Sequence, residues 1–160
     1  MSESLHLRMQ ATTRNALNRL LQIHYRSFAQ YLRYARPHVP AGSEAKMQVI
    51  EHIAEDQQVM AERIVTALRS AAETPNTGKF PMEFTDTHDL SIDYAIQEAI
   101  GYQRQDLRAI QECVRALKDS PAAMALAEEA EGMAHGHLQS LEEAAADRDR
   151  AIASPSAGAA

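Results

Sequence analysis

Leu17, Leu21, His24, Phe28, Tyr31 and Ala35 are separated by four, three, four, three and four residues. That rhythm places all six on one face of an α-helix. A face of this length is buried only against other helices with stripes of their own, and the chain carries three more such segments. The exception within the row is His24, a polar ring where the pattern asks for an apolar side chain.

The first segment reads as one helix from about Ser4 or Leu7 to Arg36. Pro37 stops it, because proline lacks an amide proton and restricts the residue before it. After "PHVPAGS", Ser43 is expected to cap a second helix, with Lys46 where a capping-box acid would stand. This helix runs to about Ala71, and Ile50, Ile53, Met60, Ile64 and Leu68 form its apolar face with Gln57 in the same row. A third helix begins near Ser91, with Asp93 in the first turn where a negative charge suits the helix dipole. Its stripe is Ile96, Ile100, Gln103, Leu107, Ile110, Val114 and Leu117. In the fourth, Ser120 caps and Pro121 takes the first helical position. Ala127, Ala130, Ala134, His137, Leu141 and Ala144 are its inner row. Residues 1–150 are thus read as a single domain, and the small-residue stretch 151–160 as a disordered tail.

The first and last connections are short, so helices one and two are expected to be antiparallel neighbours, as are three and four. The middle one, "AETPNTGKFPMEFTDTHDL", is long and needs a purpose. Phe80, Met82 and Phe84 alternate in it, as in an extended segment with one buried side. It is read as a crossover along the length of the bundle, pressing all three side chains into a groove. The expected architecture is therefore all-α, an antiparallel four-helix bundle with a long crossover between helices two and three.

Composition narrows the function classes. The net charge is −6, from 16 Lys and Arg against 22 Asp and Glu, which speaks against a nucleic-acid surface. No apolar run approaches the ~20 residues that span a bilayer. "MSESLHLRMQ" lacks the regions of a signal peptide, so a cytoplasmic protein with no membrane partner is expected. The lone Cys113, among Ile110, Val114 and Leu117, is read as a core residue. His52 and His135 fall on polar faces, with His135 four residues after Glu131. His6, His38 and His88 lie in termini or loops without ligand spacing.

Helix registers bring the polar residues of the inner stripes to one level. His24 lies 12 residues before Arg36, and 12 residues after Glu44 stands Asp56, beside Gln57. Gln103 lies 15 before Lys118, and 15 after Pro121 stands Gly136, beside His137. At 1.5 Å rise per residue, an error of one or two positions moves the level by only about 3 Å. His24, Gln57, Gln103 and His137 are therefore expected to form one inward-facing layer. Two imidazoles and two amides can satisfy each other by hydrogen bonds, which makes a paired structural layer one reading. The sharper one is a metal or small-ligand site on His24 and His137, helped by Met60, with Asp56 and Asp106 supplying carboxylates from the edges.

The pattern resembles the ferritin-like superfamily, and bacterioferritins in particular, over residues 10–147. "LNRLLQIHYRSFAQYLRYAR" looks like their first helix, with His24 at the position of a metal-binding Glu. "IAEDQQVMAERI" resembles the second-helix pattern that carries E-x-x-H, where this chain has Gln57 and Met60. In "AHGHLQSLEE", His137 and Leu141 fit, while Ala134 replaces a Glu, and on the third helix Gln103 replaces another. The resemblance implies a ferritin-like bundle whose di-metal centre is degenerate. A carboxylate-bridged iron pair needs several negative oxygens, and this layer has no formal charge. A binding or structural role is thus expected over ferroxidase chemistry, with a redox metalloprotein of unusual ligand set (His24, His137, Met60, Asp56, Asp106) as the alternative. The cofactor is open between none and a transition metal. Family members pair through long helices, so a homodimer is expected, with Tyr31, Tyr34 and the Phe80–Phe84 segment as candidate contacts.

Overall fold

The structure is a computed structural model that describes residues 9–87 and 90–153, the side chains of 87 and 148–153 apart. His6, His88 and residues 154–160 of the expected tail lie outside the described residues. The architecture is all-helical: α1 (Ala11–Tyr25), α2 (Phe28–Tyr34), α3 (Glu44–Ser70), a 3-10 turn (Met82–Thr87), α4 (Ile92–Ala116) and α5 (Pro121–Ala153). The last helix thus carries three residues into the stretch expected to be disordered. Among the described residues no helix is long and apolar enough to cross a membrane.

The expected first helix is two. The chain breaks at Arg26 and Ser27, and α2 restarts with the Ser27 hydroxyl accepting from the Gln30 amide at 3.1 Å. The apolar phase continues across the break, so Leu21 and Phe28 still share the buried side. At the other caps, Ser91 accepts from the Tyr94 amide as expected, but Ser43 makes no side-chain cap. Glu44 folds back there to accept from the Gly42 amide at 2.9 Å. Lys46, the misfit in the capping box, instead meets Asp93 in the first turn of α4 at 2.6 Å.

Helix α3 ends in a Schellman motif: Glu73 N–H donates to Leu68 and Ala72 N–H to Arg69. The motif puts Ala72 at φ +59°, a left-handed conformation that costs an L-residue with a Cβ roughly 1–2 kcal/mol. Ala72→Gly is therefore expected to stabilise the protein by about 1 kcal/mol, read as a higher denaturant midpoint at unchanged slope. An unchanged or lower midpoint would mean that the helix ends otherwise.

The crossover follows the α1–α2 face. Asn76 N–H donates to Asn18 Oδ1, and Arg26 Nε donates to the carbonyls of Thr77 and Gly78. Gly78 has φ +66°, where an L side chain is strained, and a Cβ there would stand 3.0 Å from Gln22 Cγ, so both the backbone and the close approach favour glycine. At its far end, His38 N–H donates to Leu90 and Ile92 N–H to His38, which ties the start of α4 to the loop after α2. Phe84 is buried against Phe28, Tyr31, Phe80 and Tyr102, with ring centroids 4.9–6.4 Å apart. Met82, expected beside it in the groove, is 84 % exposed. The reason is local: the segment winds as a 3-10 turn of about three residues, so positions two apart do not share a side. Of the side chains expected at a dimer contact, Tyr34 is exposed, whereas Phe84 belongs to the interior.

The buried apolar side chains fall into two clusters. One gathers Leu17, Leu20 and Leu21 with Ile64, Leu68, Ile110, Leu117 and Ala127. The other gathers Phe28 and Leu32 with Ile50, Ile53, Ile92, Ile96 and Leu141. Val114, read into the stripe of α4, is only partly buried, and Cys113 takes the inner place.

Candidate functional site

Between the two clusters each helical strip changes character. On α1 the boundary falls at His24, on α3 at Gln57, on α4 at Gln103 and on α5 at His137. All four are at most 7 % exposed, and Ser27 and Gln30 join them as buried polar residues. A polar layer thus divides the core.

The four residues do not pair with one another, contrary to the mutual pairing expected from their chemistry. His24 Nδ1 lies 2.7 Å from the Leu20 carbonyl of its own helix. Gln57 Oε1 accepts from the Ser27 hydroxyl at 2.6 Å, and Gln103 Nε2 donates to the Ala134 carbonyl at 3.2 Å. His137 Nε2 lies 2.9 Å from Asp56 Oδ2. Helix axes 8–10 Å apart let such side chains reach the backbone or flank of the next helix before the opposite polar head.

These contacts fix where the ring protons sit. A carbonyl only accepts, so His24 carries its proton on Nδ1. Burial pushes the His24 pKa down to about 4; the Leu20 contact opposes this and the nearby His137 adds to it. The Asp56 carboxylate likewise accepts, so His137 donates from Nε2 and leaves the Nδ1 lone pair. That Nδ1 is buried and has no hydrogen-bond partner among the described residues.

The other candidates are placed differently. Met60 is buried in the first apolar cluster as a packing residue. Asp56 is 57 % exposed and reaches the layer only through His137. Asp106 lines a cavity of about 10 Å³, with room for about one water, beside Ser27, Tyr102 and Gln103. Burial alone raises its carboxyl to about 7. Among the described residues no three His, Cys, Asp or Glu side chains are grouped so as to hold a metal ion. His38, His52 and His135 are exposed, and His135 meets Glu131 at 4.0 Å as its spacing implies.

Sequence reasoning missed Ser27 and Gln30. Gln30 Nε2 donates to the Ala54 carbonyl at 2.6 Å and helps to hold α2 on α3. The available signal was "SFAQ", a capping-box spelling inside an otherwise unbroken stripe. No family model, no curated protein and no solved structure matches this chain.

The two shifted groups oppose each other in acid. Below pH 6.5 the unfolded chain protonates His24 while the folded one resists until about pH 4, so stability falls with pH in that window. Asp106 is protonated in the folded chain from about pH 7 and in the unfolded chain only near 3.8, so its contribution rises as pH falls. Asp106→Asn removes the second effect. In metal-stripped protein it is expected to lose about 3 kcal/mol more than the parent between pH 7 and pH 4.5. Parallel pH profiles for the two proteins would contradict the burial of Asp106.

Proposed function

We propose that this chain is a ferritin-like, antiparallel four-helix bundle whose central His/Gln layer has a binding role in place of di-iron redox chemistry. Support for the bundle comes from the long helices, their two core clusters and the lengthwise crossover. The single observation that carries the binding role is the buried, partnerless His137 Nδ1. A buried acceptor without a donor costs roughly 1–3 kcal/mol, which a bound ligand offering a proton or a positive charge would offset.

The test is unfolding of chelator-stripped parent and His137→Leu. Asp56 is exposed and can be solvated once its partner is gone. The variant is therefore expected to gain about 1–3 kcal/mol. A variant less stable than the stripped parent would make His137 a structural element and remove the binding reading. The companion proposal is a homodimer with the exposed Tyr34 among its contacts. Light scattering should return twice the chain mass, and a monomer or a many-subunit shell would overturn it.

A second reading, a redox metalloprotein on His24 and His137, is favoured by the Asp56–His137 contact. Metal-ligating histidines commonly donate their other ring nitrogen to a carboxylate in this way. Its further candidates, Met60 and Asp106, face a packed cluster and a small cavity beside Ser27 and Gln103 respectively. Stoichiometric metal in untagged protein, with turnover lost in Met60→Leu and Asp106→Asn, is what this reading requires.

A further inference from the structure

Two arginines near the break between α1 and α2 differ from their neighbours. Arg14, Arg19 and Arg36 pair with Glu73, Glu112 and Glu51, whereas Arg26 and Arg33 have no acidic partner among the described residues. Neutral groups hold them instead. Arg26 Nε donates to the Thr77 and Gly78 carbonyls, and Arg33 Nη1 donates to Gln58 Oε1 at 2.9 Å. Both arginines line one cavity of about 540 Å³ bounded by α1, α2, α3 and the crossover. No Asp or Glu lines it, in a chain whose net charge is −6. We infer that this cavity is a binding site for a phosphate monoester carried on a planar ring. The inference rests on neither the polar layer nor the homodimer.

Size, charge and ring geometry carry it. The volume falls within the roughly 300–1,000 Å³ of ordinary small-molecule sites. Two guanidinium charges without a carboxylate match a group of about two negative charges, which a phosphate monoester carries near pH 7 and a carboxylate does not. Arg26 is oriented in advance. Its Nε is tied to the crossover, its guanidinium carbon stands 5.0 Å from the centre of the Phe80 ring, and its terminal nitrogens make no hydrogen bond among the described residues. Phe80 continues the wall to Tyr34, with ring centroids 6.2 Å apart and planes at 69°. A flat ligand ring that stacks on one of these therefore meets the other nearly edge-on, and both arrangements are favourable. Tyr34 is 79 % exposed, so its ring can be reached from solvent.

The experiment is a titration of the full chain with phenyl phosphate, followed by amide NMR shifts. One site is expected, with a Kd of about 1 mM or tighter and shifts gathered at Arg26, Arg33, Tyr34 and Thr77. Inorganic phosphate, which lacks the ring, and benzoate, which lacks the second charge, should each bind at least about 5-fold more weakly. Arg33→Gln should weaken phenyl phosphate at least about 10-fold. Arg36→Gln, at an arginine outside the cavity and already paired with Glu51, should leave the affinity unchanged. The three ligands are compared on the parent, so the test holds even if a variant fails to fold. No binding of phenyl phosphate, or shifts centred elsewhere, would overturn the inference. So would equal affinity for inorganic phosphate or benzoate, or equal losses in Arg33→Gln and Arg36→Gln.

Discussion

Phe84→Ala is expected to lower the unfolding free energy by about 3–5 kcal/mol, the usual cost of emptying a buried phenylalanine site. Phe84 is 3 % exposed and fixes the crossover at its middle. Its ring meets Phe28 edge-on at 5.2 Å and Tyr102 at 4.9 Å, and Tyr31 and Phe80 pack at its flanks. Edge-to-face pairs of this kind add roughly 0.5–1.5 kcal/mol beyond area burial. Two residues earlier, Met82 is exposed, and Met82→Ala should stay within about 0.5 kcal/mol of the parent. Denaturant unfolding of the two variants side by side checks the 3-10 winding. Equal losses would restore the extended segment with both side chains in the groove.

The second large effect has the opposite sign. Changing His24 and His137 to Leu, and Gln57 and Gln103 to Met, should leave the chelator-stripped protein as stable as the parent or up to about 4 kcal/mol more stable. The gain comes from the orphaned His137 nitrogen and from the imidazole of His24, which burial holds neutral. Little is lost on the other side. The carbonyls of Leu20 and Ala134 lie inside helices and keep their backbone donors. Asp56 returns to water. The one buried group that loses its acceptor is the Ser27 hydroxyl, which still accepts from the Gln30 amide. Gln57→Met alone should therefore be the costly single change, at about 1 kcal/mol, and chemical denaturation of the single and quadruple variants separates these terms.

The residues of the layer were legible because each interrupts an apolar stripe near the middle of a helix, and both the 3.6-residue period and the helix length can be read from spacing. Their hydrogen bonds were not. The partners are the Leu20 and Ala134 carbonyls, Ser27 and Asp56, set by which backbone or flank lies nearest once the helices dock. The break at Ser27 was hidden because α2 restarts in phase, so Phe28 and Leu32 continue the stripe that Leu17 and Leu21 begin. Met82 was misplaced because an alternating pattern carries no information on whether the backbone is extended or wound in three-residue turns. The ion pair of Lys46 with Asp93 joins residues that no local rule connects.

The central claim is that the His137 Nδ1 lone pair is held bare inside the layer. Nitrogen-15 NMR of the histidine rings in stripped protein at pH 8 tests this directly. The expected spectrum has His24 protonated on Nδ1 and His137 on Nε2 alone. A hydrogen-bonded proton at His137 Nδ1 before any ligand is added would contradict it.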